Sequence, residues 1–392
     1  MIKVAHVCTS RISYRILQDK LYEISKLGYD VSIISSEDAQ DTEFFKKHGI
    51  NQYYVDMNRK INIIDDIKSI RSMIKLIKRE KFDVIHTHTA KAGFIGRISA
   101  KLSGTKLIVH TSHGLPYYEG QNKIKYTIYK LLEIIASKFC HYVGSQNRED
   151  LEKIQEYVNE SRTFYEGNGV NLERLDEINK SIADLELDEI RDELGINKEN
   201  VVFLVGARLE AVKNHNLLLD ALKLLKDQEI SNYYCLLAGG GPLEEDLRLK
   251  VKEYNLQENV KFLGFRNDIY KLIKLSDVAL LTSEKEGIPR IIMESMAFSK
   301  PVVATDVLGT RELVVNEVTG LLSRYLDEVQ LANNIKEMIS NEQLRKQYGK
   351  EGRIRIENEF TEALVAKRVD KLYKENITIE GVNYDRLQKD YT

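Results

Sequence analysis

The stretch from Asp277 to Lys300 reads DVALLTSEKEGIPRIIMESMAFSK and decides the fold around it. Its early residues, Val278 to Leu281, form the short apolar run that is typical of a buried parallel strand. A polar loop follows, and Pro289 suits the first turn of a helix, where its missing N–H costs nothing. The stretch therefore predicts a strand, a glycine loop and a helix whose free N–H groups point at the carboxyl end of a sheet, a geometry that suits a phosphate.

Two carboxylates frame this predicted turn. Glu286 lies in the loop beside Gly287, and Glu294 follows eight positions later on the helix. A loop carboxylate can accept hydrogen bonds from ligand hydroxyls, and a helix carboxylate can accept two from a ribose diol. From the spacing alone, it is an equally good interpretation that Glu286 is a solvated charge in the loop and Glu294 a residue on the helix surface, neither of them bound to a ligand.

The composition is that of an ordinary globular protein with room for two cores. The chain has 392 residues, of which 43% are hydrophobic and 30% charged. The net charge of −2 does not indicate a nucleic-acid-binding protein. The charge is unevenly distributed, however: residues 1–180 carry 28 Lys and Arg against 23 Asp and Glu (+5), and residues 181–392 carry 30 against 37 (−7). The basic half is consistent with an anionic partner. The three cysteines lie in apolar runs and are interpreted as buried thiols in a reducing compartment. Neither a signal peptide nor a membrane-spanning run is expected.

Strand-like runs and helical patterns alternate along both halves of the chain. This alternation predicts an α/β fold of doubly wound parallel sheets. The turn after the first predicted strand lacks G-x-G-x-x-G, which argues against a nicotinamide dehydrogenase. We expect an N-terminal domain over residues 1–175, a second domain over 176–360, and a final helix and tail over 361–392 that cross back to the first domain.

Several polar residues follow predicted strand ends in the first half. His86 and His110 are expected to be structural, whereas His88 is expected past its strand and closer to a crevice. Lys91 lies near a helix N-terminus, where a cation is not favoured locally, so it is either solvent-facing or kept for an anion. No carboxylate or cysteine completes a ligand set of recognisable spacing around these histidines, so no metal site is expected.

Residues 121–138 read QNKIKYTIYKLLEIIASK and carry apolar side chains at helical spacing. A helix packed on a sheet explains this stripe without any further function and is the preferred interpretation. The alternative is a membrane-surface face, in which the lysines meet anionic lipid and the tyrosines lie at the headgroup level. The basic bias of this half and a second basic helix over residues 67–81 favour the alternative.

In the second half, Arg208 and Lys213 come directly after a predicted strand. A guanidinium fork and an ammonium at this edge fit a diphosphate, although two solvated loop cations would look the same. Gly240 lies in a glycine triplet after the next strand, and Phe265 and Arg266 end the strand after that.

Taken together, these features resemble the retaining glycosyltransferases of family 4. The resemblance rests on the words EGIPRIIMESMA and KPVVATDVLGTREL, on the two glutamates separated by seven residues, and on an arginine followed by a lysine five residues on. It covers nearly the whole chain and is strongest over residues 201–320. It implies a GT-B architecture, in which two Rossmann-like domains face each other across a cleft. Where many relatives have Gly-Phe-Gly, this chain has Gly287-Ile288-Pro289, a variant similar to the branch that builds bacterial surface polysaccharides.

The resemblance also implies roles for individual residues. The catalytic candidates are His113 beside the donor sugar, Glu286 on its hydroxyls, and Arg208 with Lys213 on the diphosphate. The donor-binding candidates are Glu294 on the ribose, Gly287, Ile288 and Pro289 in the loop, Phe265 and Arg266 near the nucleobase, and Gly240. The acceptor-side candidates are Ser10, His88 and Lys91.

The resulting expectation is transfer of a sugar from a nucleotide diphosphate, a UDP-N-acetylhexosamine or a related UDP-sugar, to a lipid-linked saccharide. The acceptor would be a polyprenyl diphosphate at the cytoplasmic face of the membrane, which the enzyme would contact peripherally. The sequence contains no D-x-D, so protein cations are expected to replace a metal, and no cofactor is expected. A sugar-nucleotide 2-epimerase on the same architecture is the alternative, and a non-catalytic sugar-nucleotide-binding scaffold is a third interpretation.

Overall fold

The computed structural model describes residues 1–9, 11–36, 42–57, 62–118 and 121–377. Contacts divide the chain into two compact units, one formed by Met1–Gly167 with Glu362–Thr392 and the other by Asn168–Thr361. The first boundary lies eight residues before the end predicted at residue 175, and the second lies one residue after the end predicted at residue 360.

The early boundary has a physical cause at Val170. This side chain is fully buried in a core cluster of the second unit, and its backbone N–H donates to the Phe360 carbonyl oxygen at 3.0 Å. A parallel bridge also pairs Val170 with Thr361. The segment that was expected to end the first domain is therefore built into the second.

In the described part of the first unit, seven parallel strands form one sheet in the order β3-β2-β1-β4-β5-β6-β7. Side chains alternate between the two faces of a strand, so Val4 packs in one buried cluster and its neighbour Ala5 in the other. Both faces are thus covered, as a doubly wound sheet requires. The strands are β1 Lys3–Val7, β2 Asp30–Ser35, β3 Asn51–Tyr54, β4 Val84–His88, β5 Leu107–Ser112, β6 Tyr142–Ser145 and β7 Thr163–Tyr165. The helices are α1 Arg11–Lys26, α2 Thr42–Lys47, α3 Ile63–Glu80, α4 Ala90–Ser103, α5 Lys123–Ser137 and α6 Arg148–Gln155, with a 3₁₀ turn at Glu160–Arg162.

The second unit repeats the plan with six parallel strands in the order β10-β9-β8-β11-β12-β13. Here too, neighbouring residues of one strand, Val202 and Phe203, belong to different buried clusters. The strands are β8 Val201–Gly206, β9 Tyr233–Ala238, β10 Val260–Gly264, β11 Val278–Leu281, β12 Val302–Thr305 and β13 Gly320–Ser323. The helices are α7 Leu172–Ser181, α8 Asp184–Leu194, α9 His215–Asp227, α10 Glu244–Glu253, α11 Ile269–Leu275, α12 Arg290–Ala297, α13 Thr310–Leu313, α14 Glu328–Ser340 and α15 Glu342–Glu359, with a 3₁₀ turn at Ala211–Lys213.

The last described helix, α16 (Glu362–Asn376), returns to the first unit and packs against α1. Tyr373 is fully buried there, and its hydroxyl lies 2.7 Å from Nδ1 of His86 in β4. The returning helix predicted from the sequence is therefore confirmed.

The strand order of the second unit reverses between β8 and β11. From β8 the chain proceeds outward through β9 to β10, and it then re-enters on the other side of β8 at β11. Val278 of β11 pairs with Phe203 of β8 in this parallel contact. In open α/β sheets, such a switch point leaves a crevice at the carboxyl ends of the strands, where ligands bind.

Candidate active site

The two loops that leave the switch point meet through an ion pair. Lys213 ends the 3₁₀ turn after β8, and Glu286 lies in the loop after β11. Lys213 Nζ lies 2.5 Å from Glu286 Oε1, and the side chains are 18% and 10% exposed. Ser283 donates to the same oxygen at 2.5 Å. The sequence-predicted phosphate cation and sugar-binding carboxylate are therefore in direct contact.

Backbone hydrogen bonds tie these two loops together. The Glu284 N–H donates to the Val212 carbonyl oxygen at 2.8 Å, and the Thr282 hydroxyl donates to the carbonyl oxygens of Lys213 and Asn214 at 3.1 Å. These bonds position the Lys213 and Glu286 side chains without any ligand, which is the pre-organisation that binding and catalysis favour.

A close backbone approach defines the Gly287 segment. A Cβ added at Gly309 would lie 2.0 Å from the Gly287 carbonyl oxygen, and Gly309 has a φ of 86°. Ile288 is buried in the core of the second unit. Pro289 is the N-cap of α12, one residue before the first-turn position predicted for it, with an extended ψ of 114° and no side-chain capping bond. The loop is thus held by its backbone and by Ile288.

Glu294 lies inside α12 and is 7% exposed. Its Oε1 accepts hydrogen bonds from Arg290 Nε at 2.9 Å and from the Tyr270 hydroxyl at 3.1 Å. Burial, and then the Glu294 charge, raise the pKa of Tyr270 to about 12. Tyr270 therefore stays protonated and orients the carboxylate.

The remaining second-unit candidates lie at the ends of β8, β9 and β10. Arg208 is largely exposed, and its guanidinium donates to Glu210 at 2.5 Å. A Cβ at Gly240 would meet open space, whereas one at Gly239 or Gly241 would lie 2.0 Å from the Ala207 or 2.4 Å from the Leu209 carbonyl oxygen. The packing requirement for glycine therefore falls on the residues either side of Gly240.

Phe265 and Arg266 follow β10, which lies two strands from β8. Phe265 is 77% exposed. Arg266 forms a forked pair with Asp268, at 2.8 and 2.7 Å, and also contacts Glu193 at 3.1 Å. These carboxylates raise the pKa of Arg266, so its guanidinium is held by local ion pairs.

In the first unit, a row of histidines runs from the sheet interior to the end of β5. His6 Nδ1 lies 2.9 Å from His88 Nε2, and His88 Nδ1 lies 2.9 Å from Nε2 of His113, which follows β5 and is half-buried. His88 was expected beyond its strand, near the crevice. It is instead the last residue of β4 and is fully buried, with its ring packed against those of His6 and His86.

Two arrangements of protons satisfy the hydrogen bonds between His6, His88 and His113. A neutral imidazole has one N–H and one lone pair, so each link needs a donor and an acceptor. His6 Nε2 has no hydrogen-bond partner, and a buried unpaired N–H is rarer than an unpaired acceptor. The favoured arrangement leaves this nitrogen unprotonated, so His6 donates to His88 and His88 donates to His113. His113 then carries its proton on Nδ1 and presents a hydrogen-bond donor.

Burial and a nearby buried ion pair set the electrostatics of the row. Lys20 Nζ lies 2.7 Å from Glu166 Oε1, and both side chains are almost completely buried. Burial, and then the Lys20 charge, lower the pKa of His6 and bring that of His113 to about 3. Both rings are therefore neutral at neutral pH.

Among the described residues, His6, His86 and His88 form a group of three that could hold a metal, with ligand atoms within 4.8 Å of one another. Only His6 Nε2 lacks a hydrogen-bond partner in this group: His86 contacts Tyr373 and Thr111, and both nitrogens of His88 contact other rings. A metal would have to break these bonds, so the donor set does not fit one.

The other first-unit candidates are peripheral to this row. His110 is buried and lies 2.9 Å from the Thr87 hydroxyl, in the structural position that was expected. Lys91 is the second residue of α4 and is paired with Asp66 at 2.5 Å, with 15% of its side chain exposed. Ser10 lies outside the described residues.

Comparison with known proteins assigns the chain. The family model of glycosyl transferases group 1 matches residues 186–355, and that of glycosyl transferase 4-like proteins matches residues 4–147. The UDP-Gal:alpha-D-GlcNAc-diphosphoundecaprenol alpha-1,3-galactosyltransferase of Escherichia coli is 32% identical over 381 residues, covering 95% of each chain. The chain belongs to glycosyltransferase family 4.

Further relatives of this family 4 enzyme agree in both sequence and fold. The capsular polysaccharide biosynthesis glycosyltransferase CapM of Staphylococcus aureus is 26% identical, covering 95% of this chain and 96% of its own. A glycosyltransferase structure from Rickettsia africae matches with a TM-score of 0.80 at 22% identity, over 95% of this chain and 98% of that one. Anabaena HepE in complex with UDP and glucose matches at 0.79 and 21% identity, over 96% and 100%. The expected GT-B fold class is thereby confirmed.

Sequence reasoning missed the partners that orient the two glutamates. Arg290 precedes Glu294 by four residues on a predicted helix, so helical spacing could have identified it. Ser283 precedes Glu286 by three residues in a loop, where spacing carries no geometry. Tyr270 comes from α11, and no local signal links it to Glu294.

Helix α5 of this glycosyltransferase does not bury all of its apolar side chains. Four of them form an outward stripe at spacings of four, three and four residues. The packing explanation favoured by the sequence therefore accounts for only one face, since the fully buried positions of α5 are occupied by Glu133, Ala136 and Ser137. The exposed residues are Ile124, Ile128, Leu131 and Ile135. No helix in the described ranges is long and apolar enough to span a bilayer.

Proposed function

We propose that this family 4 glycosyltransferase transfers a hexosyl or N-acetylhexosaminyl group from a UDP-sugar to a lipid-linked saccharide, with retention of configuration. The observation that carries the proposal is the contact between Lys213 and Glu286 at the switch point of the second sheet. A phosphate-binding cation and a hydroxyl-binding carboxylate side by side fit the junction of a sugar and a diphosphate.

The cations supply the main electrostatic term of the proposed reaction. Departure of the diphosphate builds up negative charge while the sugar becomes oxocarbenium-like. Lys213, Arg208 and the N-terminus of α12 would stabilise this charge, a kind of contribution worth roughly 10²–10³-fold per donor. Protein cations would therefore replace a metal ion, and the reaction needs no cofactor.

The carboxylates and His113 orient the donor. Glu286 would accept hydrogen bonds from sugar hydroxyls, and Glu294, held by Arg290 and Tyr270, would accept them from the ribose. The Nδ1–H of His113 would donate to a sugar oxygen near the reaction centre. Retention without a carboxylate nucleophile requires attack from the same face that the diphosphate leaves, and the leaving phosphate accepts the proton of the acceptor hydroxyl.

The relatives and the surface of the first unit support a lipid-linked acceptor. The Escherichia coli relative is named for a diphosphoundecaprenol acceptor, as are N-acetylgalactosaminyltransferases of Campylobacter jejuni. The outward face of α5 places four aliphatic residues among Lys123, Lys125 and Lys138, which suits an anionic membrane surface. We therefore assign the enzyme a peripheral position at the cytoplasmic face of the membrane, in the synthesis of surface polysaccharide.

A donor screen tests the proposal. Purified enzyme is incubated with UDP-galactose, UDP-glucose, UDP-N-acetylgalactosamine or UDP-N-acetylglucosamine and a polyprenyl-diphosphate-linked sugar, and the products are weighed by mass spectrometry. We expect one donor to add a sugar to the lipid, equally well with and without EDTA. Loss of transfer in EDTA would refute metal independence.

The same screen addresses the 2-epimerase alternative, which gains no support from the named relatives. An epimerase would isomerise a donor in the absence of any acceptor. Isomerised donor with no product on the lipid would overturn the proposed transfer.

A further inference from the structure

Two cavities of the first unit adjoin each other beside His113. The smaller has a volume of about 130 Å³ and is lined by His113 and Gly114 among others. The larger has a volume of about 440 Å³ and lies between α3, α4 and α5. Both are lined by Ala90, Pro116 and Glu133, so the larger cavity lies directly beside the one at His113.

The lining of the larger cavity is mainly apolar. Phe94 of α4 and Tyr129 and Leu132 of α5 contribute rings and a branched side chain. Its charged groups, Asp66, Lys91 and Glu133, already have partners: Asp66 is paired with Lys91, and Glu133 is paired with Arg97 at 2.9 Å. A volume of this size falls within the range of about 300–1,000 Å³ for ligand pockets, and the mainly apolar lining suits a hydrocarbon chain.

The helices that wall the cavity also carry exposed apolar residues on their outer surfaces. On α3, Ile63, Ile64 and Ile67 are 73%, 68% and 45% exposed, and on α5, Ile128 and Leu131 are 48% and 54% exposed. Farther along α3, the exposed charged side chains are all basic: Lys68, Arg71, Lys75, Lys78 and Arg79. The cavity is therefore flanked by a surface that is apolar near its lining residues and basic beyond them, which matches a bilayer with anionic headgroups.

We infer that the larger cavity binds the isoprene units next to the diphosphate of a polyprenyl-diphosphate acceptor. The adjoining smaller cavity would then lead the saccharide end toward His113, while the rest of the prenyl chain stays in the membrane beside α3 and α5. The inference rests on the proposed function for the identity of the lipid. It adds the place where the lipid binds and the residues that line it.

A matched pair of tryptophan variants tests this site. The chain contains no Trp, and Leu131 and Leu132 are neighbours on α5, of which only Leu132 lines the cavity. Leu132→Trp fills the cavity, whereas Leu131→Trp makes the same change on the outer surface. Binding of farnesyl diphosphate to each full-length protein is measured by calorimetry, without vesicles and with inorganic diphosphate as the probe that lacks a prenyl chain.

We expect farnesyl diphosphate to bind wild type and Leu131→Trp at least tenfold more tightly than inorganic diphosphate, and Leu132→Trp to lose this preference. All three proteins should bind UDP equally, which reports correct folding. If Leu132→Trp fails to bind UDP, Leu132→Asn, which makes the same wall polar, replaces it. Equal affinity of every variant for farnesyl diphosphate, or no preference of the wild type for the prenyl chain, would overturn the assignment.

The outcome is separable from that of the proposed function. Binding is measured without a donor sugar and without turnover, so a failed donor screen does not affect it. Loss of prenyl binding in Leu132→Trp, together with no transfer to any polyprenyl acceptor, would support the cavity and refute the reaction. Transfer that is indifferent to Leu132→Trp would support the reaction and refute the cavity.

Discussion

On the proposed mechanism, replacing Glu286 by Gln should separate the orientation of the sugar from the binding of the diphosphate. The Glu286 carboxylate pairs with Lys213 at 2.5 Å, and both side chains are largely buried. A charge-assisted hydrogen bond of this kind contributes about 1.5–3 kcal/mol. Gln keeps the shape and one hydrogen-bonding oxygen but releases the Lys213 charge for phosphate.

We therefore expect Glu286→Gln to bind UDP at least as tightly as wild type does. The affinity should rise by up to about tenfold for each 1.4 kcal/mol by which Glu286 competes with the diphosphate for Lys213. Transfer should fall about 10²-fold or more, because the sugar loses its orienting carboxylate. Calorimetry with UDP and single-turnover transfer measure the two effects.

Glu284→Gln is the matched control for this experiment, since Glu284 joins the same loop through its backbone N–H. Its transfer rate should stay close to that of wild type. Weaker UDP binding in Glu286→Gln, or transfer at the wild-type rate, would refute the role assigned to the Lys213–Glu286 pair.

Four further predictions concern the first unit and the Gly287 loop. Lys20→Met leaves the Glu166 carboxylate buried and unpaired, so it should lower the free energy of unfolding by about 3–5 kcal/mol in urea denaturation, and adding Glu166→Gln should restore most of the loss. The pKa of His113 is lowered from 6.5 to about 3 in the folded protein, so the unfolded chain binds a proton there at a higher pH than the folded protein does. The stability that this difference contributes is complete above pH 6.5 and is lost as the pH falls, so urea midpoints should drop between pH 7 and pH 5. The proton of His113 should lie on Nδ1 in ¹⁵N NMR spectra and should move to Nε2 in His88→Leu, in which no ring donates to it. Gly309 has a φ of 86°, and the Cβ of an alanine there would lie 2.0 Å from the Gly287 carbonyl oxygen. Gly309→Ala should therefore displace the Gly287 loop and reduce transfer more than it reduces UDP binding.

The sequence predicted those parts of the fold in which local pattern and burial agree. The run from Val278 to Leu281 is apolar because both of its faces are covered, and it forms the buried strand β11. β3 cannot be predicted from such a run, because Asn51–Tyr54 is a half-exposed edge strand without one. Its pairing with β2 satisfies backbone groups, which side-chain pattern does not reveal.

The candidate site was predictable where motif and helical spacing agree, and not where contacts join distant segments. Glu286 and Glu294 could be identified from one stretch, as could the link from Glu294 to Arg290. The Lys20–Glu166 pair joins residues 146 positions apart, and neither residue belongs to a motif. The burial of His88 likewise depends on β1 lying beside β4, a pairing that only the sheet order provides.

The ion pairs of the second unit explain how the proposed site can hold a concentrated positive charge before the donor arrives. Each candidate cation has a carboxylate partner from its own unit: Arg208 with Glu210, Lys213 with Glu286 and Arg266 with Asp268. An exposed pair is worth about 0–1 kcal/mol, so phosphate can replace Glu210 on Arg208 at little cost. The Lys213–Glu286 pair is largely buried, and opening it costs more unless Glu286 gains new donors.

Sugar hydroxyls are such donors, and UDP alone does not supply them. Full release of Lys213 onto the diphosphate therefore requires that a sugar occupy Glu286 at the same time. On the proposed mechanism, this exchange couples recognition of the sugar to stabilisation of the leaving group, so Lys213 is fully available to stabilise the departing diphosphate only when the intact donor is bound.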